Sequence, residues 1–311
     1  FLHYTNFICT LALSVILILT RTCPASNQAD PKCLPLSSFL CISNCVVLQM
    51  KLVSYVLVNS ELRLKREYQD KKKPVNEPTE YPKNITVQNL AYFLLVPTLT
   101  YQEKFPMVKK RRWSWLLGKV AQLVFFLILL VIMAHQYLLP TIEHCVASVH
   151  QRKYTSAIQD YFTLVIPSVY SWLLMFYILF HLLPNVLGEL LFFGDRMFYS
   201  DWWNSTTMGE YWKKWNLPVH HWLRRHVFKM MLKKGYSRLV ASLSVFLISA
   251  IFHELLVSVP LGKMNTWFFL GMLFQVPFII ISDMYYKGSQ TGNIMFWLTF
   301  CVFGQPMLLI L

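Results

Sequence analysis

The segment SAIFHELLVSVP, residues 249–260, places two ionisable side chains, His253 and Glu254, inside a run of apolar residues. A charged side chain in the middle of a membrane helix costs about 2.5–3.5 kcal/mol, so an ionisable residue there is a candidate for function by default. The structural alternative is a neutral histidine that bonds to a neighbouring helix. His253 is therefore the first residue whose chemistry has to be explained.

Zinc binding is one chemistry that a His-Glu pair suggests. Zinc proteases carry two histidines four residues apart, so that both imidazoles lie on one face of a helix. The position four residues after His253 is Val257, which excludes that pattern. Three further histidines, His220, His221 and His226, also lack this spacing. The sequence therefore predicts no metal site and leaves His253 as a lone base.

The two polar neighbours of His253 lie in different directions on a helix. Consecutive residues are about 100° apart, so Glu254 does not share the face of His253. Ser249, four residues earlier, does share that face. We predict that Ser249 is the polar neighbour of His253, and that Glu254 meets another helix or a water-filled cavity.

The composition is that of a membrane protein. Of the 311 residues, 55% are apolar and 14% are charged, whereas about 25% are charged in an average soluble domain. Apolar windows of roughly 20 residues, long enough to cross a bilayer, recur along the chain. We predict an all-α polytopic membrane protein with about seven spans. The apolar segments are 5–20, 34–58, 115–139, 161–192, 237–257, 266–286 and 293–311.

Charged segments divide the chain into regions. The net charge of +14 is typical of the cytoplasmic loops of a membrane protein and does not indicate nucleic-acid binding. We predict N-terminal membrane helices over 1–60, a mobile charged cytoplasmic linker over 61–88 and a catalytic core over 89–311. The core begins with 89–101, which is too short to span and is expected to be re-entrant or interfacial. It also contains a basic, tryptophan-rich cytoplasmic segment, 196–238, typical of an amphipathic stretch at the membrane surface.

Three smaller features concern topology and completeness. The sequons at Asn84 and Asn204 fall in basic segments, so we expect them to face the cytosol and to stay unglycosylated. Cys23 and Cys33 flank a short polar loop and could pair in an oxidising lumen, with unpaired thiols as the alternative. The chain begins with Phe1 and ends inside an apolar run, so we expect it to be a piece of a longer protein.

A second motif gives His253 a context. The segment FYSDWWN, residues 198–204, resembles the FYxDWWN signature of the membrane-bound O-acyltransferase (MBOAT) family. That family carries a histidine in a hydrophobic helix, and His253 follows the signature by about fifty residues, as the resemblance requires. From about residue 51 onward, further segments, among them 191–205 and 215–232, resemble the diacylglycerol branch of the family.

The resemblance implies a fold, an activity and a location. The implied fold arranges membrane-spanning and re-entrant or interfacial helices around an intramembrane reaction chamber. The implied activity transfers a fatty acyl group from acyl-CoA to the free hydroxyl of diacylglycerol, giving triacylglycerol and CoA, with no cofactor besides the acyl-CoA co-substrate. The implied setting is the endoplasmic reticulum membrane, where a multi-pass homo-oligomer, a dimer or tetramer, contacts membrane lipids and no nucleic acid.

The resemblance also assigns roles to residues. His253 would act as general base, a role that contributes about 10²–10⁴ in rate. Asn204 would stabilise the oxyanion or orient the thioester. The remaining candidates are polar or signature residues that we expect to bind acyl-CoA or the acceptor. They are Phe198, Tyr199, Asp201, Trp202, Trp203, Ser249, Glu254, Gln275 and Gln305.

Other interpretations stay open at the level of the sequence. A sterol or long-chain alcohol acyltransferase would differ only in its acceptor. A membrane transporter or channel would line a path with the same polar residues, although no transport mechanism needs FYxDWWN. An inactive, lipid-binding paralogue would keep the motifs without the reaction. Asn185, Glu189, Gln275 and Gln305 could also simply join helices by hydrogen bonds.

Overall fold

The computed structural model describes residues 35–72, 81–262 and 266–310. Over these ranges the chain is helical, and its one strand-type contact is the isolated bridge between Met107 and Phe193. The all-α prediction is therefore confirmed. We number the helices of these ranges in chain order. They are α1 (Pro35–Lys72), α2 (Val87–Leu95), α3 (Trp113–His150), α4 (Tyr154–Leu190), α5 (Met208–Lys214), α6 (217–233), α7 (Arg238–Leu261), α8 (Trp267–Tyr285) and α9 (290–310).

Within the residues that the structure describes, five stretches are long and apolar enough to cross a membrane, by length and composition. The sequence predicted about seven over the whole chain. The predicted span 5–20, like the cysteine pair at 23 and 33, lies outside the described residues. The predicted span 293–311 falls mostly within α9, which is not among the five. The five stretches are Ser37–Tyr68, Trp113–His150, Tyr154–Leu190, Arg238–Leu261 and Trp267–Tyr285.

The chain divides into two compact units. The first unit combines Phe1–Lys104 with Pro218–Pro277, and the second combines Phe105–Leu217 with Phe278–Leu311. Each unit is thus built from two separate stretches of the sequence. The histidine helix α7 belongs to the first unit, and the FYSDWWN segment belongs to the second.

Helices α1 and α7 form the core of the first unit. Ile42, Met50 and Phe252 are buried in one apolar cluster between them. Trp222 of α6 joins the cluster and donates from its indole nitrogen to the carbonyl oxygen of Met50 at 2.8 Å. A large aromatic side chain is thus buried with its polar atom satisfied. This packing anchors the helix that carries His253.

The segment predicted as a linker, 61–88, begins as a helix. Helix α1 continues to Lys72, well beyond its apolar part. The extension contains no proline or glycine, and Arg63 and Glu67 pair across one turn at 3.7 Å. Charged pairs four residues apart support a solvated helix. The prediction of a mobile linker was therefore wrong over 61–72, because high charge alone does not prevent helix formation.

Helix α2 is nine residues long and cannot span a membrane, as the sequence predicted for this part of the chain. Its C-terminal end is capped by Lys51, a buried residue of α1. The ammonium nitrogen lies 3.0, 2.9 and 2.6 Å from the carbonyl oxygens of Phe93, Leu94 and Val96. A cation among the last carbonyl groups of a helix is stabilising, so this contact fixes α2 against α1.

A buried polar network lies beside this cap. The side-chain amide of Asn84 is buried and donates to the side-chain oxygen of Asn59 at 2.8 Å and to the hydroxyl of Tyr101 at 2.9 Å. The backbone N–H of Tyr101 donates to the hydroxyl of Ser54, 2.8 Å away. That hydroxyl lies 2.8 Å from Nε2 of His226. Because Ser54 already accepts one bond, its single proton is available for the imidazole nitrogen.

In the second unit, an ion-pair network closes the end of α4. Glu189 is fully buried, and its carboxylate lies 2.9 Å from Arg112 and 3.1 Å from Arg196. Two positive charges offset the cost of burying the carboxylate. Asn185, one turn earlier, donates to the carbonyl oxygen of His181 at 2.8 Å. Glu189 thus joins separate segments of the chain, whereas the side chain of Asn185 bonds within its own helix.

Candidate active site

His253 is a partly buried residue of α7. Its Nδ1 lies 2.7 Å from the carbonyl oxygen of Ser249 and 3.4 Å from the hydroxyl of the same residue. A carbonyl oxygen only accepts, so Nδ1 carries the proton and donates it. Nε2 then keeps its lone pair and has no hydrogen-bond partner within the described ranges. The expected pairing of His253 with Ser249 is confirmed, mainly through the backbone carbonyl.

Glu254 bonds to the start of the next membrane helix. Its carboxylate accepts from the backbone N–H groups of Thr266 at 2.9 Å and Phe269 at 3.0 Å, at the N-terminus of α8. Ser258 donates a third hydrogen bond to it. Unpaired N–H groups and the helix dipole favour an anion at this position. Glu254 therefore meets another helix, as expected, and caps α8, which gives it a structural role in place of the predicted substrate contact.

Two glutamines of the last helices are buried or partly buried. The Oε1 atom of Gln275 on α8 is enclosed and has no hydrogen-bond partner in the part of the chain that the structure describes. A buried acceptor without a donor costs about 1–3 kcal/mol, so this atom suits a ligand that carries a hydroxyl group. Gln305 is buried at the π turn of α9 and belongs to the second unit.

The FYSDWWN signature forms a tight turn in the second unit. Trp202–Asn204 is a single turn of 3-10 helix. Backbone bonds tie the segment to residues around the end of α5. The N–H of Ser200 donates to the carbonyl oxygen of Lys214 at 2.8 Å. The N–H of Leu217 donates to the carbonyl oxygen of Phe198 at 3.0 Å.

Trp202 is the centre of an aromatic cluster. It is 2% exposed, and edge-to-face contacts of the kind seen around it favour tight aromatic packing. Phe198 is buried as well. Both residues were predicted to bind substrate, and in the structure their rings are enclosed by protein and support the turn. Rings centred 5.0–6.2 Å from that of Trp202 belong to Trp172, Phe176, Tyr211, Trp297 and Phe300.

Helix α9 holds the turn from its other side. The carbonyl oxygen of Trp203 accepts from the side-chain amide of Asn293 at 3.0 Å and from the indole of Trp297 at 3.1 Å. Gly292 lies against the carbonyl oxygen of Thr206, and a Cβ atom at that position would collide with it. Glycine is therefore required for this close approach.

Three signature residues are exposed, Asp201, Trp203 and Asn204. Hydrogen bonds from the hydroxyl of Ser200 at 3.0 Å and from the ammonium group of Lys214 at 3.3 Å keep the pKa of Asp201 below its usual range, so it is a carboxylate. The side-chain amide of Asn204 has no hydrogen bond to the described residues. Its N–H group is therefore available to a ligand.

Two functional candidates escaped the sequence analysis. Nδ1 of His181 lies 2.9 Å from the hydroxyl of Tyr199, and Nε2 lies 3.1 Å from the ammonium nitrogen of Lys119. The two candidates are Lys119 and His181, which are ionisable and lie inside apolar segments. That is the signal that singled out His253, and it applied equally to these two positions.

The candidates are distributed over both units. His253, Ser249, Glu254 and Gln275 belong to the first unit, and Asn204, with the rest of the signature, belongs to the second. Over 35–72, 81–262 and 266–310, no group of three or more histidine, cysteine or acidic side chains could hold a metal ion.

A model of the membrane-bound O-acyltransferase family matches residues 3–311. The chain belongs to the membrane-bound O-acyltransferase family. This confirms the family to which the FYSDWWN segment and His253 pointed. The MBOAT assignment also agrees with the long apolar helices, which make the chain a multi-pass membrane protein.

Individual MBOAT relatives are similar over most of the chain. It is 40% identical to diacylglycerol O-acyltransferase 1C of Glycine max over 279 residues, which are 88% of this chain and 53% of that protein. Diacylglycerol O-acyltransferase 1 of Arabidopsis thaliana is 40% identical, over 88% of this chain and 51% of its own length. The corresponding protein of Dictyostelium discoideum is 35% identical, over 89% and 45%. The chain thus spans about half the length of the curated relatives it matches.

Proposed function

We propose that this protein transfers a fatty acyl group from acyl-CoA to the free hydroxyl of diacylglycerol, giving triacylglycerol and CoA. The observation that carries the proposal is the state of His253 in α7. Its Nδ1–H is bonded to the carbonyl oxygen of Ser249, and its Nε2 has no hydrogen-bond partner among the described residues. An imidazole fixed in this tautomer has its base nitrogen available. The names of the relatives supply the acyl acceptor.

The chemical step needs one base. Nε2 of His253 accepts the proton of the acceptor hydroxyl while its oxygen attacks the thioester carbonyl carbon. The tetrahedral oxyanion collapses, the carbon–sulfur bond breaks, and the imidazolium returns the proton to the CoA thiolate. The ester and free CoA are the products. The thioester is already activated, so the proposed reaction uses no cofactor.

Other residues have proposed parts in this step. Asn204 has an unbonded amide on an exposed turn, and we assign it to the oxyanion or to the thioester. Gln275 has an unpaired buried acceptor in the same unit as His253, which suits the hydroxyl of the acceptor lipid. Ser249 orients the imidazole.

The substrates differ in where they travel. Diacylglycerol and the acyl chain dissolve in the bilayer, while CoA is polyanionic and cytosolic. The basic segment 196–238, which carries Lys213 and Lys214, supplies positive charge for the CoA phosphates. We place the protein in the endoplasmic reticulum membrane as a homo-oligomer, a dimer or tetramer, in contact with membrane lipids.

A three-acceptor assay tests the proposed function. Membranes that contain the protein are given acyl-CoA with a labelled acyl chain, together with diacylglycerol, cholesterol or a long-chain alcohol. We expect label in triacylglycerol with the first acceptor, well above host membranes without the protein. Label in steryl or wax ester alone would reassign the acceptor, and no label with any acceptor would contradict the acyltransferase.

A further inference from the structure

Lys119, His181 and Tyr199 form a chain of hydrogen bonds that the mechanism above does not use. All three belong to the second unit. The ammonium nitrogen of Lys119 on α3 lies 3.1 Å from Nε2 of His181 on α4, and Nδ1 of His181 lies 2.9 Å from the hydroxyl of Tyr199. This series of hydrogen bonds thus connects a charged group in a membrane helix to a residue of the FYSDWWN signature.

The Lys119 ammonium group determines which atom donates in each of these hydrogen bonds. An ammonium group only donates, so Nε2 of His181 accepts and Nδ1 carries the proton. Nδ1–H donates to Tyr199, whose hydroxyl oxygen is the acceptor. The proton of that hydroxyl is then left for another group, and within the described ranges nothing accepts it.

Among the described residues, the contacts of the Lys119 ammonium group are to neutral side chains, with Gln122 Oε1 at 3.4 Å in addition to His181. Arg112 is the residue just before α3. Lys119 follows it by seven residues and therefore lies about 10 Å along that helix from its start. No carboxylate within the described part of the chain forms an ion pair with it, and its ammonium group lies 5.7 Å from the ring centre of Trp115. An unpaired cation at one end of a hydrogen-bond chain polarises the bonds that follow.

The histidine in the middle is held in place. The ring of Tyr177 stacks on that of His181, with ring centres 4.8 Å apart and planes 10° apart. Both residues lie in the π turn Tyr177–Leu182, which interrupts α4. Single π turns within α-helices occur frequently at functional sites.

We propose that this chain makes the Tyr199 hydroxyl a hydrogen-bond donor to the thioester carbonyl oxygen of acyl-CoA, with His181 and Lys119 as positioning residues. The inference rests on the proposed function. The partner is the carbonyl rather than a CoA phosphate because the polarising cation lies within a membrane helix, where the apolar acyl chain begins. Polyanionic phosphates stay with water.

Two unreactive CoA ligands test the carbonyl contact without turnover. One is a 2-oxoalkyl-CoA, whose S-linked chain keeps a carbonyl group, and the other is an S-alkyl-CoA, whose S-linked chain has none. We expect Tyr199→Phe to weaken binding of the 2-oxoalkyl-CoA about tenfold and to leave the S-alkyl-CoA unchanged. The matched control is Tyr161→Phe, which removes a hydroxyl that donates to the carbonyl oxygen of Val302 on α9, and which should leave both affinities unchanged.

A double-mutant cycle tests the positioning residues. Lys119→Met should weaken binding of the 2-oxoalkyl-CoA severalfold, and the variant with both Lys119→Met and Tyr199→Phe should bind no more weakly than Tyr199→Phe alone. If the two losses of binding free energy added fully, Lys119 would act independently of Tyr199, and the proposed hydrogen-bond series would be refuted. Because one variant changes α3 and the other changes the FYSDWWN segment, either one that folds still tests the contact.

The outcomes separate this inference from the proposed function. Equal weakening of both ligands by Tyr199→Phe, or no weakening of either, would refute the carbonyl contact alone. Wild-type protein that binds neither ligand would refute the acyl-CoA function, and the contact with it.

Discussion

The helix around His253 and the turn around Asn204 place their candidate side chains by different means. His253 sits in the regular helix α7 and needs one bond, to the carbonyl oxygen of Ser249 four residues earlier. Asn204 ends a short 3-10 turn that is held by buried aromatic rings and by donors from α9, including Asn293.

The difference shows what each site depends on. A helix supplies its own backbone geometry, so a residue on it is placed by the helix and by the packing of that helix. A three-residue turn has little internal support, so its position depends on the side chains packed around it. Changes at His253 should therefore affect chemistry, and changes around Trp202 should affect folding.

The largest expected effect is that of His253→Ala. Loss of the base should lower acyltransferase activity by about 10²–10⁴-fold, while the thermal unfolding midpoint in detergent stays close to that of the wild type. The matched control is His221→Ala, at an exposed histidine of α6. An alanine variant at 253 that keeps near-normal activity would refute the assignment of the base.

Trp202→Ala should affect both folding and activity. Removing a fully buried indole costs about 3–5 kcal/mol, so the unfolding midpoint and the yield of folded protein should fall, and activity should fall with them. Trp203→Ala, which changes the 42% exposed neighbour, should cost far less stability. Equal destabilisation by the two variants would contradict the view that the aromatic cluster holds the turn.

Glu254→Gln changes α7, the helix that carries His253, and should have an intermediate effect on stability. The new amide group would face the N–H of Phe269, donor against donor, which leaves a buried group unpaired and costs about 1–3 kcal/mol. Thermal unfolding measures the loss. Ser258→Ala removes a single bond to this carboxylate and should cost less. If Glu254→Gln were as stable as the wild type, the carboxylate would not be needed as the cap of α8.

A pH dependence of stability is also expected, carried by His226 in α6. Burial, and then the charge of Arg225, lower the pKa of this histidine from 6.5 to about 4. Between pH 4 and pH 6.5, His226 therefore binds a proton in the unfolded protein and not in the folded protein. Stability therefore rises with pH across this window and falls as the pH drops from 6.5 towards 4.

Unfolding midpoints measured from pH 7 to pH 4.5 check this prediction. The His226→Asn variant should be less stable at pH 7 and should show a flatter pH profile than the wild type. His221→Asn, at the exposed neighbour, should leave the slope unchanged. A His226→Asn profile as steep as that of the wild type would assign the pH dependence to other groups.

The sequence predicted what depends on local patterns. His253 stands out because an ionisable residue in an apolar run is rare, and Ser249 follows from helix spacing. The role of Glu254 could not be predicted, because its partners are backbone N–H groups 12 and 15 residues away. Trp202 was misjudged because tryptophans among basic residues indicate a membrane surface, and only tertiary contacts bury this one.

The buried amide of Asn84 has a consequence for membrane orientation. This residue is the acceptor of an Asn-Ile-Thr sequon, and its amide nitrogen donates to both Asn59 and Tyr101. An attached oligosaccharide would take one of the two amide hydrogens and would have no room beside the buried phenol. The fold therefore requires that Asn84 stays unglycosylated, as it would on the cytosolic side that the sequence predicts for this segment.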